Sequence, residues 1–352
     1  MEIHRLNPTD ADQVDRAWTL LELANRTETP ELPMGPKHFF TGEFIHPLPH
    51  TELRGHLAVD GDETLGYLRL YLPMKSNDHY AEAEITVHPG HRRRGVGTAL
   101  LEHLLATARA EARTEIVVLA RVTWEDGPVR PTAGPEFLEQ RGFTAALTEV
   151  DRRLEVAALD AETERRLRSE AEAGAGDDYE LVQWTGHTPE EYLEPLGRIE
   201  SMIFDEIPLG DVDLHRREID VDYIRARDER TETLGATRPC AAAFHKGSGV
   251  MAAYTSIHVF ADDAQAHQAI TIVDPAHRGH RLGLLVKLAN LRQLRDRFGH
   301  VKEIWAGNAD TNAHMVAINE RLGFETVDAR VSYKLTLERR PPGSDRLIRL
   351  PP

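Results

Sequence analysis

The 352-residue chain contains one cysteine, Cys240, so an intramolecular disulfide and a cysteine-built metal site are both excluded. Cys240 lies in the apolar run Pro-Cys-Ala-Ala-Ala-Phe (239–244) and reads as a core residue. No apolar run is long enough to cross a bilayer. The opening Met1-Glu2-Ile3-His4-Arg5 does not begin a basic-then-apolar leader, and the expectation is a cytoplasmic protein without a membrane partner. Basic residues are outnumbered, 42 against 58 acidic, for a net charge of −16. Such a chain has no net attraction to phosphate backbones, which argues against nucleic acid as a partner and permits a cationic substrate. Two phosphate-binding signatures are missing, the G-x-x-x-x-G-K-[ST] loop and the G-x-G-x-x-G fingerprint. The 18 histidines show no H-x-x-x-H spacing on an expected helix near the His277/His280 loop, and no metal site is expected.

What is present is a different anion cradle. Residues 84–88 alternate polar and apolar, as a half-buried strand does. Pro89 and Gly90 end that strand. Arg92-Arg93-Arg94-Gly95-Val96-Gly97-Thr98 follows. Leu100, Leu101, Leu104, Leu105 and Ala108 then recur on one face of a helix. Free N–H groups and a partial positive charge at the helix start attract phosphate, glycine lets the backbone approach it, and the arginines add fixed charge. The unit reads as a pyrophosphate cradle.

The cradle occurs twice. Val273-Asp274-Pro275-Ala276-His277-Arg278-Gly279-His280-Arg281-Leu282-Gly283-Leu284 aligns without gaps on Val87 through Thr98. A second landmark, Leu138 through Phe143, recurs as Asn319 through Phe324. Two landmarks repeating in order at nearly one spacing indicate an internal duplication. Each copy has the same expected order: strand, helix or helices, hairpin, cradle strand, helix, strand, helix, strand. The first copy spans 1–157 and the second 179–338. Residues 158–178, rich in Ala, Glu and Arg, read as a solvated linker helix with a flexible joint. The proline-rich tail, 339–352, reads as loosely held.

The spacing Arg92-x-x-Gly95-x-Gly97, after a strand and before an amphipathic helix, resembles the [QR]-x-x-G-x-[GA] loop of the GNAT superfamily of N-acetyltransferases. The doubled cradle resembles the tandem two-domain type found in actinobacteria, mycothiol synthases among them. The resemblance implies an α/β fold, a mixed sheet in each copy splayed between its fourth and fifth strands. It implies acetyl-CoA as cofactor, its pyrophosphate on Arg92 to Thr98 and on Arg278 to Leu284. Val87 and Val273 are the expected positions of the backbone donor to the thioester oxygen. The implied activity is acetyl transfer to a primary amine of a small molecule by direct attack in a ternary complex. The alternative is a non-catalytic acyl-CoA-binding sensor or scaffold with one or both copies degenerate. A monomer that is a pseudo-dimer of its halves, or a homodimer, fits either.

An attacking amine is protonated at neutral pH, so a base helps. Glu82 and Glu84 lie on the first cradle strand, where the family often places one, and Glu84 is the candidate. In the second copy those positions are Gln268 and Ile270. Its carboxylates lie earlier, at Asp205, Glu206, Asp211 and Asp213, in the loop where the family forms its acceptor pocket, and Asp211 is the second candidate. The family's tyrosine acid on the last helix is absent, Leu138 and Asn319 standing in its place. The second copy has Asn308 and Asn312 beside the expected splay, both candidate cofactor contacts; Asn312 resembles the family's asparagine that caps the last helix and helps hold the pantetheine arm, and this copy is expected to carry the chemistry. Its Arg281 replaces a loop glycine and is expected to sit in right-handed backbone, its side chain free for solvent or a phosphate.

Overall fold

The computed structural model describes residues 1–338; the tail 339–352 lies outside them. The first half runs β1 (Glu2–Arg5), α1 (Ala11–Glu28), α2 (Lys37–Ile45), β2 (Thr51–Asp60), β3 (Glu63–Pro73), β4 (Tyr80–Val87), α3 (Val96–Ala110), β5 (Glu115–Val122), α4 (Ala133–Glu139) and β6 (Thr144–Glu155). Helix α5 (Ala161–Ala175) leads to the second half: β7 (Tyr179–Thr185), α6 (Glu190–Glu200), α7 (Ile203–Glu206), α8 (Val221–Thr233), β8 (Ala236–Thr237), β9 (Pro239–His245), β10 (Val250–Phe260), β11 (Gln265–Val273), α9 (Leu282–Arg297), β12 (Glu303–Ala309), α10 (Ala313–Leu322) and β13 (Glu325–Thr336). The order expected from the duplication is present in both.

Alternation along β3 and β4 sorts the two faces of the first sheet. Leu68, Leu70, Leu72, Ala81 and Ala83 pack under α3, whose Leu100, Leu101, Leu104, Leu105 and Ala108 are all buried. Each such leucine contributes about 1.5–3 kcal/mol. Tyr67, on the other face, packs with Leu6, Ala17 and Leu20 under α1. Arg69, Tyr71, Tyr80, Glu82 and Glu84 share the parity of Tyr67, because side chains on one strand alternate and Arg69 and Tyr71 register with Glu84 and Glu82.

The two halves do not keep separate sheets. One sheet runs β1-β2-β3-β4-β5-β13-β6-β12-β11-β10-β9-β7, with β8 beside β10. The last strand of each half has crossed to the other: β13 pairs β5 over Glu115–Val122, and β6 pairs β12 over Glu303–Ala309. Both crossed strands pair with each other at the centre. The expected splay is present twice. The parallel pair β4–β5 holds only from Tyr80–Glu115 to Ala83–Val118, and β11–β12 only from Gln265–Glu303 to His267–Trp305.

Three details differ from the sequence reading. Helix α5 is solvated on one side only: Leu167, Ala171 and Ala175, on a four-residue spacing, are buried against α9. The helix expected to begin at 215 begins at Val221, capped by Asp220 accepting from the Tyr223 N–H. Residues before it are drawn out by bonds to the first half: the Asp213 N–H donates to Glu115 and the His215 N–H to Asn77. The helix expected over 189–204 is broken after Glu200 and resumes at Ile203.

Because β5 is covered by β13 along its whole length, residues 1–157 produced without the rest should expose that edge and aggregate rather than fold. Co-production with 158–352 should restore a soluble complex. A monomeric 1–157 fragment with a cooperative melt would show that the exchanged strand is dispensable.

Candidate functional site

The cradles are built alike, turn by turn. A proline opens a single helical turn in each, Pro89–His91 and Pro275–His277, whose first free N–H is taken by the preceding side chain, His88 or Asp274. The chain then passes twice through left-handed backbone. In the first cradle this happens at Arg93 (φ 61°) and Gly95 (φ 86°), in the second at Gly279 (φ 86°) and Arg281 (φ 54°). Each loop thus has one glycine and one arginine at these positions, in opposite order. The expectation of right-handed backbone at Arg281 is overturned. The residue precedes the helix, where the loop must reverse, and left-handed backbone there costs an arginine about 1 kcal/mol.

The first-turn N–H groups of α3 (Val96, Gly97, Thr98) and α9 (Leu282, Gly283, Leu284) have no side-chain cap, so both offer donors to an anion. Val87 and Val273, last residues of their strands, each lie 3.5 Å from where a Cβ would stand on Gly97 and Gly283. Strand end and helix start therefore meet in both halves. The arginines differ. Arg93 and Arg94 are exposed and make no ion pair among the described residues, while Arg92 pairs with Glu28. In the second cradle Arg278 pairs with Glu206, and Arg281 with Glu170 at 2.9 Å, packed on Gly174. Its side chain is held by α5 rather than free for a phosphate. His280 stands 5.4 Å from the Tyr179 ring. The Thr98 hydroxyl accepts from Arg141, which stacks on Phe137 at 3.8 Å.

The two candidate carboxylates on β4 face different surroundings. Glu84 is exposed and 3.5 Å from Arg69. Glu82 is half-buried, and Tyr80 donates to it at 2.8 Å. Burial pushes the Glu82 carboxyl above the ordinary carboxylate range, against the Tyr80 hydrogen bond and the Arg330 charge, which favour ionisation. Burial also keeps the Tyr80 phenol protonated, so it serves Glu82 as a donor. Two cavities, of about 150 and 290 Å³, adjoin here, and Thr51, Tyr71 and Glu82 line both. The smaller extends to Glu84, Arg69 and Arg230, the larger to Phe204, Arg217 and Tyr223. The trough lies on the first half's sheet, yet a wall of it comes from the second half.

That wall is pinned in place. Asn77 donates to the His215 carbonyl and accepts from its N–H, at 3.0 and 2.7 Å. Val212 packs with Tyr80 and Val117. Asp211 belongs to this segment. It is exposed, its N–H donating to the Ala146 carbonyl and its carbonyl accepting from Lys334. It thus sits on the exchanged strands, and it lines neither cavity. No sequence motif marks Arg217 or Tyr223, which reach a site 135 and more positions upstream only through the folding of the second half onto the first.

The corresponding space in the second half is filled. Gln268 and Ile270 replace Glu82 and Glu84, and the Gln268 amide donates to the Ser256 and Ile270 carbonyls. Tyr254 is wholly buried beside Cys240, at 3.3 Å. Arg227, Asp228, Glu200 and Arg238 form a buried ionic cluster between α6, α8 and the sheet.

Residues 17–127 match the acetyltransferase (GNAT) family. A mycothiol acetyltransferase of Saccharomonospora viridis is 30% identical over 337 residues, 92% of this chain and 95% of that one. The chain belongs to the GNAT family of N-acetyltransferases. A mycothiol acetyltransferase of Mycolicibacterium gilvum is 26% identical, covering 91% of this chain and 94% of its own. Among solved structures, a tandem GNAT protein from the clavulanic acid biosynthesis pathway superposes with a TM-score of 0.79 at 27% identity, over 95% of this chain and 98% of that one. Among the described residues no helix is long and apolar enough to cross a membrane.

The second half of this GNAT chain has a further polar device. Asn319, at the place of the family's tyrosine, is fully buried. It accepts from Lys287 at 2.7 Å and donates to Asn308 at 2.6 Å. The Asn308 amide N–H is thereby left to donate elsewhere, beyond the last β11–β12 pair. Asn312 caps α10, accepting from the Met315 N–H at 3.2 Å. Burial pushes the Lys287 ammonium down to about 7 from its ordinary 10.5.

Two tests follow from this geometry. Gly95→Val and Gly279→Val each put a branched residue in left-handed backbone and should weaken acetyl-CoA binding at their own cradle at least tenfold by calorimetry; unchanged isotherms for both would remove the cradles as the binding sites. For Lys287, between pH 7 and 10 the unfolded chain holds the extra proton, so stability should climb with pH by on the order of 3–5 kcal/mol. In Lys287→Met that increment should vanish from urea titrations at pH 7, 8.5 and 10. Parallel profiles for the two proteins would mean that Lys287 is charged and satisfied in the fold.

Proposed function

We propose that the chain transfers an acetyl group from acetyl-CoA to a primary amine of a small molecule, by direct attack in a ternary complex, and that the first half carries the chemistry. The observation behind the choice of half is Glu82: a half-buried carboxyl with raised proton affinity, oriented by Tyr80, at the meeting point of two cavities beside the open end of a splayed sheet. The sequence reading favoured the second half. Its acceptor space is occupied by side chains, and both base positions hold residues that cannot take a proton.

Acetyl-CoA supplies the activated acyl group as a thioester. The chain supplies the rest. The uncapped N–H groups of Val96, Gly97 and Thr98 and the unpaired Arg93 and Arg94 suit the pyrophosphate. The gap between β4 and β5 beyond Ala83 suits the pantetheine arm, with a backbone donor near Val87 for the thioester oxygen. Glu82 takes the proton of the incoming ammonium, and its raised affinity brings it nearer the working pH, where a base is most effective. Leu138 offers no acid to the departing thiolate, which as a fair leaving group can take its proton from water.

The second half, with free donors at Leu282, Gly283 and Leu284 and an oriented Asn308, suits an acyl-CoA-binding role without chemistry. In that role Arg278, Gly279, His280 and Arg281 shape the loop, and Asn312 starts the helix.

Glu82→Gln should lower kcat by 10²–10⁴ with little effect on acetyl-CoA affinity. In the unaltered protein kcat/KM should fall on the acid side, as Glu82 takes up a proton, with a midpoint above the ordinary glutamate value of 4.5. Loss of that limb in Glu82→Gln, but not in Glu84→Gln, is the expected pattern. Full activity in Glu82→Gln, measured by thiol release over an amine panel, would return the base to Glu84 or to the second half.

A further inference from the structure

The base and the acyl donor leave open what the acceptor carries besides its amine. The arginines of the chain answer this by exclusion. Six of them, Arg16, Arg113, Arg153, Arg217, Arg238 and Arg330, have a side-chain nitrogen that is buried without a partner. Five bond through another nitrogen. Arg217 is the exception, with no hydrogen bond and no ion pair among the described residues.

Arg217 is half-buried on the wall of the 290 Å³ cavity whose floor includes Glu82. Its guanidinium carbon lies 5.5 Å from the centres of both the Phe204 and Tyr223 rings. Two aromatic faces hold the charge in place without using any of its N–H groups. Lys75, on the same wall, is 3.7 Å from Asp220 and has its counter-charge. Glu218, next in sequence to Arg217 and also on the wall, makes no bond to it. Only the Nε–H is buried; the two Nη groups are neither buried nor bonded among the described residues, and side by side they form the fork that a carboxylate fills with two parallel bonds. The cavity therefore shows an ammonium-seeking carboxyl at one place and an anion-seeking fork at another, within a space at the small end of ligand pockets.

We propose that the acceptor is an amine that also bears a carboxylate, an amino acid or a short peptide, with its amine at Glu82 and its carboxylate on the Arg217 fork. This rests on the reading of the trough as the acceptor site. The guanidinium then selects the substrate and positions its amine, and the second half sets specificity for chemistry done on the first.

The test uses the full chain with acetyl-CoA and matched acceptors: amino acids and dipeptides, their carboxamides, the corresponding decarboxylated amines, and an amine bearing a phosphate. Thiol release should show kcat/KM at least tenfold higher for the carboxylate member of a pair. In Arg217→Gln that preference should collapse towards unity, chiefly through KM, and Arg217→Lys should keep part of it. Amines acetylated without carboxylate preference, a phosphate-bearing amine preferred over every carboxylate, or a preference that survives Arg217→Gln would each overturn the inference while leaving the acetyl-transfer reading intact. Acetyl-CoA binding with no turnover of any amine would overturn both. Should Arg217→Gln melt early, the pairwise comparison in the unaltered protein still decides.

Discussion

The exchange of last strands is the constraint on which the rest of the molecule depends, and a buried carboxylate holds it. Asp328, on β13, is fully buried. It accepts from Arg121 of β5 at 2.9 Å and from Arg130 at 2.8 Å. Arg121 reaches on to Asp151 of β6 at 2.6 Å, and Arg130 to Glu31 beyond α1. Second-half strand, first-half strands and first-half loop are tied at one point. Burial raises the proton affinity of Asp328 in spite of two arginines, so the cluster's worth lies less in net stability than in register. The pairing of β13 with β6 shifts between Thr326 and Asp328, and only one alignment brings that carboxylate between both guanidinia.

Once the strands are exchanged, the halves cannot reorient as beads on a linker. Helix α5 is part of the second core, and the stretch before α8 is stitched to β5 through Glu115 and to the loop before β4 through Asn77. Phe39 of α2 meets Phe260 of β10 edge to face at 4.8 Å, and Arg230 of α8 donates to the His46 carbonyl. The trough over Glu82 is thus a product of the whole chain, although its floor belongs to one half.

The parts legible in the sequence are those written in short range. The cradle is a contiguous run whose proline, glycines and arginines each have a local reason, and the splay was implied by the family resemblance that this run carries. Glu82 and Glu84 were visible as carboxylates on the cradle strand; choosing between them required Tyr80's hydroxyl and the cavity walls. The left-handed backbone at Arg281 was not legible, because the parallel with Gly95 fixes the position in the loop and not the residue's tolerance of it. Strand exchange was not legible either. A last strand that alternates apolar residues says which face is buried and nothing about which neighbour it pairs with. Arg217 stands beyond any sequence argument, since its meaning is the absence of a partner.

The two halves show what duplication permits. Each cradle needs two left-handed positions, and each keeps glycine at a different one, so neither loop is a decayed copy of the other. What separates them is the use of charge. In the first half Arg93 and Arg94 are unspent and Glu82 is oriented over open space. In the second, Arg278 and Arg281 are bound by Glu206 and Glu170 of the same chain, and Arg227, Glu200, Asp228 and Arg238 close the space above the sheet. In this buried cluster two arginines face two carboxylates, so its charges are balanced within the chain. It leaves a stiff body. Tyr223, which packs in that filled core, is also one of the two rings that hold Arg217. The filled space of the second half therefore supplies the rigid backing for the open trough in the first.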